Sequence, residues 1–149
     1  MIIEKASAIH VNVISDFVAR LLSELDGKQY SRFDFFKTTE ALMNDAATPY
    51  TVFLAKCESE YIGFISIVEC RAIYAQGKYG VIQEMYIDSQ NRSTGVGKRL
   101  LDCVAEYGRL EQWTRLEVTA PHAIKWKRTV QFYKKHDFVE IGPRLKKTL

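Results

Sequence analysis

Apolar positions along the chain follow two periods, and the switches between them mark the elements. Met1 to Ala6 reads as a short strand. From Ala8 to Leu25 the apolar residues Ile14, Phe17, Val18, Leu21, Leu22 and Leu25 recur at three-and-four spacing, which predicts an amphipathic helix closed by Asp26-Gly27. An aromatic, irregular stretch follows, K-Q-Y-S-R-F-D-F-F. A second helix is expected from about Asp34 to Asp45, stopping before Pro49. Tyr50 to Cys57 and Tyr61 to Ile73 are β-rich runs joined by the tight turn Glu58 to Glu60, an antiparallel hairpin. Gln76 to Gly80 reads as a loop and Val81 to Asp88 as a further strand. From Gly95 onward Val96, Leu100, Val104 and Tyr107 share one helical face, with Leu101 and Leu110 beside them. Arg115 to Thr119 is read as a strand, Pro121 to Lys125 as a connector and Trp126 to His136 as a short helix. Phe138 to Ile141 and Arg144 to Leu149 are read as closing strands. The order β-α-α-β-β-β-α-β-α-β predicts an α/β sheet with helices on both faces.

Composition narrows the class without naming it. A chain of 149 residues, 47% hydrophobic and 12% aromatic, reads as one folded domain, 1–149, with a proper core. A net charge of only +3 and dispersed basic residues argue against a nucleic-acid partner; the run Lys125-Trp126-Lys127-Arg128 reads as solvated surface or a small-anion contact. Cys57, Cys70 and Cys103 have no C-x-x-C spacing and read as buried free thiols of a reducing compartment. His10, His122 and His136 are scattered, so no metal is expected. The start M-I-I-E-K-A-S lacks a secretory pattern, and no apolar run is long enough to span a membrane. A cytoplasmic location is the expectation, with no membrane partner.

The chemistry concentrates in N-R-S-T-G-V-G-K-R-L-L, Asn91 to Leu101. A strand, a glycine turn and a helix start place unpaired N–H groups and the positive end of a helix dipole together, a site for an anion. Gly95 and Gly97 are read as leaving room for phosphate oxygens, with Arg92, Lys98 and Arg99 adding attraction. A triphosphate loop would need glycine where Arg92 stands and a hydroxyl residue where Arg99 stands. A dinucleotide loop would need glycine in place of Leu100. Both are excluded.

The segment E-M-Y-I-D-S-Q-N-R-S-T-G-V-G-K-R-L-L resembles the coenzyme-A-binding segment of the GNAT N-acetyltransferase superfamily, whose R/Q-x-x-G-x-G/A pattern reads here Arg92-Ser93-Thr94-Gly95-Val96-Gly97. Downstream, K-R-T-V-Q-F-Y-K-K-H-D-F resembles the family's F-Y-x-x-x-G-F segment. The resemblance covers Val81 to Ile141. It departs at Ser93 and Asp137, where the family often has Gly, and at Trp126, where it often has Asn.

The resemblance implies a mixed, mostly antiparallel sheet with a splayed parallel pair at its centre. It implies transfer of an acetyl group from acetyl-CoA, without a metal, to an amine of a small molecule or protein. The Met85, Tyr86 and Ile87 backbone is the implied dock for the pantetheine arm; Arg92, Ser93, Thr94, Gly95, Val96, Gly97 and Lys98 are implied to hold the pyrophosphate. Tyr133 matches the family's general acid, and Phe132 is assigned to packing. Glu84, on the strand before the loop and sharing a face with Ile82 and Tyr86 by alternation, is the candidate base. For the acceptor, the candidates are Tyr30, Phe33, Phe35 and Phe36 with Glu24, Asp26 and Asp34 nearby, a mix suited to a cationic amine. The competing expectation is a GNAT-like domain that binds acyl-CoA without catalysis, as a sensor or interaction module. A monomer and a homodimer both remain open.

Overall fold

The computed structural model describes residues 1–47 and 50–149; Pro49, expected to bound the second helix, lies outside them. Five strands form one sheet in the order β1-β2-β3-β4-β5: β1 (Ile2–Lys5), β2 (Tyr50–Cys57), β3 (Glu60–Ala72), β4 (Gly77–Ile87) and β5 (Leu116–Val118). The first four pair antiparallel, and β4 and β5 pair parallel. The helices are α1 (Val11–Asp26), α2 (Phe36–Asn44), α3 (Val96–Leu110) and α4 (Lys127–Lys135). This is the mixed sheet expected. No helix among the described residues is long and apolar enough to cross a membrane.

Helices on both faces explain why β2 is apolar at nearly every position. Val52 and Leu54 face α1, packing with Ile14, Phe17, Phe64 and Tyr86. Phe53 and Ala55 face the other way, toward Val96, Leu100, Leu101 and Val104 of α3 and Tyr133 of α4. A strand covered on both sides loses the apolar–polar alternation of a half-exposed one.

Several boundaries shift. The hairpin register runs on through Glu69↔Gly80 to Ala72↔Gly77, so Gly77 to Gly80, read as loop, belongs to β4. The first helix is preceded by a 3-10 turn at Ala8–His10, and the second by one at Arg32–Asp34. Cys57 is exposed rather than buried, being the last residue of β2, where the strand leaves its helical cover.

The largest correction is at the C-terminus. Residues 138–149 form no strand, and Val139, Ile141, Leu145 and Leu149 are exposed. Apolar alternation there is not enough, because a strand is made by backbone pairing with a neighbour. The backbone hydrogen bond that begins this segment goes to α4 instead, from Phe138 N to Tyr133 O at 3.2 Å. Glu140 pairs with Lys134 of the same helix at 2.6 Å. The parallel pair therefore stands last in the strand order, not at the centre.

Candidate functional site

The parallel pairing is short. It runs from Gly80↔Leu116 to Ile82↔Val118, while β4 continues to Ile87. Beyond Ile82, β4 has no strand on its β5 side among the described residues. The N–H of Glu84 is spent on the β3 side, on Ser66 Oγ at 3.0 Å, and that of Asp88 on Ile62 O at 2.9 Å. Strand alternation then turns the backbone groups of Met85 and Ile87 toward the open side. Ile87 O accepts Arg92 Nε at 2.8 Å, leaving the Ile87 N–H and both Met85 groups as the free edge.

A bulge decides which way the side chains of this strand point. The register pairs Ser66 with Glu84 but Ile67 with Ile82, so Gln83 is an extra residue. Ile82 packs toward α3, whereas Glu84 and Tyr86 lie on the α1–α2 face. The expected face-sharing of Ile82 with Glu84 is thus overturned; that with Tyr86 holds.

Glu84 reaches a cavity between α1, α2 and the sheet. Its Oε2 accepts hydrogen bonds from both Tyr50 Oη and Ser66 Oγ. Its Oε1 has no hydrogen-bond partner among the described residues. Burial, and then the nearby Glu84 carboxylate, push the Tyr50 phenol well above its usual range, so it stays a donor. Neither Tyr50 nor Ser66 was legible as a site residue: their link to Glu84 depends on strand register, which composition and motif do not carry.

Tyr133 lies on the opposite face of β4. It is 7% exposed, and among the described residues its hydroxyl meets only Met85 Sδ, at 3.7 Å, a weak acceptor. Burial pushes its phenol up to about 12. Glu84 and Tyr133 thus approach one strand edge from its two sides, separated in sequence terms by the step from Glu84 to Met85. Phe132 is a packing residue, as assigned: it stacks edge-on with His136 and closes over Gly97.

The anion loop keeps its frame and loses part of its assigned chemistry. Gly95 caps α3 with φ +91 and leaves the N–H groups of the first turn, at Val96, Gly97 and Lys98, without intrahelical partners; the first bond is Arg99 N to Gly95 O at 3.1 Å. Gly97 carries a packing constraint that the motif does not show. A Cβ there would meet Phe132 Cζ at 3.0 Å and Ile87 Cδ1 at 3.1 Å, so its smallness lets α3 lie close on β4 and α4. Arg92 is not a free phosphate ligand either: its Nη2 grips Glu24 at 2.8 and 3.0 Å, and its guanidinium lies over Tyr86. With Arg20–Asp88 at 2.7 Å, it ties α1 to the loop. Exposed pairs of this kind typically contribute about 0.2–1 kcal/mol each, so they set an angle more than they stabilise. Lys98 pairs with Asp102 at 2.6 Å, and Thr94 Oγ1 closes the loop on Asn91 O at 2.7 Å.

Two other cations stand ready. Arg99 has no ion pair among the described residues, and Arg128 of α4 donates to Ser93 Oγ, which brings it to the loop. Arg128 was read with the Lys125 run, as solvated surface or an anion contact; only the packing of α4 brings it here. The loop therefore fits an anion through backbone amides, Arg99 and Arg128.

Ser93 has φ +66, and Asp137 φ +67. At both places where the resemblance expects glycine, the backbone holds the left-handed conformation that glycine favours. A β-branched residue there is expected to cost on the order of 1–2 kcal/mol. Ser93→Val should accordingly lower the thermal midpoint by about 2–8 °C in calorimetry, while Ser93→Gly should not lower it. An unchanged Ser93→Val midpoint would mean that the loop abandons this conformation at no cost.

Of the acceptor candidates, Phe35 alone lines the Glu84 cavity. Glu24 is held by Arg92. Asp26 accepts Tyr30 Oη at 2.6 Å and Lys28 N at 2.8 Å, and Asp34 caps Ser31 N at 2.7 Å. These acids shape the α1–α2 connection. Phe33 is 75% exposed, outside the cavity.

Comparison with known proteins agrees with this geometry. The family model described as acetyltransferase (GNAT) domain matches residues 48–140. No curated protein sequence matches significantly. Among solved structures, the chain is similar to a ribosomal-protein-alanine N-acetyltransferase from Brucella melitensis biovar Abortus 2308, at 16% identity and TM-score 0.81, covering 99% of each chain. It is similar to an aminoglycoside acetyltransferase from an uncultured soil metagenomic sample, at 17% identity and TM-score 0.80, covering 99% of this chain and 95% of that one. It is also similar to a structure named a transcriptional regulator from Bacillus halodurans C-125, at 15% identity and TM-score 0.83, covering 99% of each. At such identities the likeness is one of fold, and its bearers differ in role. The parallel β4–β5 pair, the α3 amide loop and the family match over residues 48–140 together place the chain in the GNAT acetyltransferase family.

Proposed function

We infer that the protein is an acyl-CoA-dependent N-acyltransferase, moving an acetyl group from acetyl-CoA to a primary amine by direct attack. The observation that carries this is one open strand edge flanked by Glu84 on one face and Tyr133 on the other. The amine nitrogen bonds to the thioester carbonyl carbon, the C–S bond breaks, and the amine proton and the thiolate must each be dealt with.

The chain's own groups divide that work. The first-turn amides of α3, with Arg99 and Arg128, hold the pyrophosphate. The free groups of Met85 and Ile87 hold an amide-bearing arm as an added strand would be held. One of these N–H groups faces the carbonyl oxygen as it gains charge. Glu84, its Oε2 already fixed by Tyr50 and Ser66, offers Oε1 to the ammonium and takes its proton.

For Tyr133 a magnitude decides the role. Its phenol, pushed by burial up to about 12, is a weaker acid than a thiol, whose ordinary value is about 8.5. Tyr133 therefore acts as a hydrogen-bond donor to the departing sulfur, lowering its charge without giving up the proton outright.

Acetyl-CoA is expected to raise the thermal midpoint, and thiol release should follow when a primary amine is added. No shift at millimolar acetyl-CoA would remove the donor assignment. A shift without thiol release on any amine would favour the non-catalytic sensor. Glu84→Gln is expected to lower kcat/KM for the amine by about tenfold or more, with the acetyl-CoA shift intact. Equal turnover would remove Glu84 as the base.

A further inference from the structure

The cavity in front of Glu84 carries information about the acceptor. Its walls are Ile14 and Val18 of α1, Phe35, Leu42 and Met43 on the α2 side, and Tyr50 of β2. Of the other polar groups at its edge, Thr39 is already committed, its Oγ1 donating to Phe35 O at 2.9 Å. Among the groups lining the cavity, only Glu84 carries a formal charge at neutral pH.

Its volume is ≈ 90 Å³. A space of this kind needs only about 10–15 Å³ for each water it holds, so it admits an ammonium on a short alkyl chain. Pockets for drug-sized ligands run to about 300–1,000 Å³. The wider groove on the same helix pair, ≈ 460 Å³, is lined by Asn12, Phe33, Phe36 and Lys37, and its one ionisable side chain is cationic. A second positive charge on the acceptor would find only apolar walls inside. Burying such a charge unpaired is costly.

We propose that the acceptor is a monocationic primary amine presented on a slim, uncharged aliphatic end, and that polycationic amines are rejected. This rests on the acyltransferase assignment and goes beyond it in naming the acceptor class. One negative charge, Glu84, answers one ammonium. Ile14, Val18, Leu42 and Met43 cover the first carbons. Tyr50 and Ser66 occupy Oε2 and so aim the incoming nitrogen at Oε1.

The test is steady-state thiol release from acetyl-CoA by the full chain, with propylamine, butylamine, hexylamine, spermidine and an aminoglycoside at matched concentrations. The expected result is a kcat/KM for propylamine at least tenfold above those for spermidine and the aminoglycoside, falling along the alkyl series. Leu42→Ala, which enlarges the cavity without touching Glu84, should move the optimum toward the longer alkylamines. Preference for a polycation, or a flat series unaffected by Leu42→Ala, would overturn the proposal while leaving the donor assignment standing. Acetyl-CoA binding with no thiol release on any of these amines would overturn it as well. Failure to bind acetyl-CoA would strike the acyltransferase assignment itself.

Discussion

Tyr133→Phe is expected to lower kcat by about 10²–10³-fold, the usual loss when one hydrogen-bond donor to developing charge is removed, and to leave folding stability at pH 7 unchanged or slightly higher. The two halves of the result belong together. The Tyr133 ring is core, packed edge-on against Phe132 and Phe138, and phenylalanine keeps it. The hydroxyl is buried against a thioether that accepts weakly. A buried polar group with so poor a partner adds nothing to the fold, so its loss should be felt in turnover alone. Stability at high pH supplies an independent readout. The folded phenol stands near 12 against about 10 unfolded. The contribution is thus fully present below pH 10 and is lost as pH rises from about 10 to about 12, on the order of 3 kcal/mol. Chemical denaturation across that window should show a shallower decline in Tyr133→Phe than in the parent. Unchanged turnover would return Tyr133 to the core and remove it from the mechanism.

Gly80→Ala should be the most damaging single methyl added to the sheet. A Cβ at Gly80 would stand 2.1 Å from Trp113 Cζ3, 2.4 Å from Cε3 and 2.8 Å from Leu116 Cδ2. Trp113 cannot swing away freely: it packs so closely on Gly108 that a Cβ there would stand 2.7 Å from its Cε3, and its Nε1 donates to Glu69 Oε2 at 2.9 Å. Overpacking of this kind typically costs about 1–3 kcal/mol, or about 2–12 °C at this chain length. The site matters beyond stability because Gly80 opens the β4–β5 register and donates its N–H to Arg115 O at 3.0 Å. Pushing Trp113 and Leu116 outward moves β5 where the gap beside Met85 begins. Acetyl-CoA affinity, read by calorimetry on folded Gly80→Ala at low temperature, should fall with it. An unchanged midpoint would show that the Trp113 ring relocates without cost.

The α3 loop, its helix and the Tyr133 segment were legible because their physics is local. A glycine turn, a helix start and an apolar stripe are each written within a dozen residues. The left-handed backbone at Ser93 and Asp137 was not read there; the sequence marked both only as departures from a family glycine. The role of Arg92 was not legible, since its partner Glu24 lies 68 residues away on α1. Nor was the packing constraint on Gly97, which comes from Phe132 and Ile87. The C-terminal strands failed for a related reason: alternation marks which residues could share a strand face, not which backbone the segment pairs with, and here it turns to α4.

What the sequence by itself determined is the order of elements and the place of the donor loop, because periodicity and turn chemistry are properties of neighbours along the chain. Only the tertiary structure decided the face of Glu84, through the bulge at Gln83, and its two donors, Tyr50 and Ser66. It alone brought Arg128 to Ser93 and closed α1 and α2 over a cavity with a single carboxylate. Those features arise from register and packing between distant segments, where one residue of slip turns every side chain to the other face.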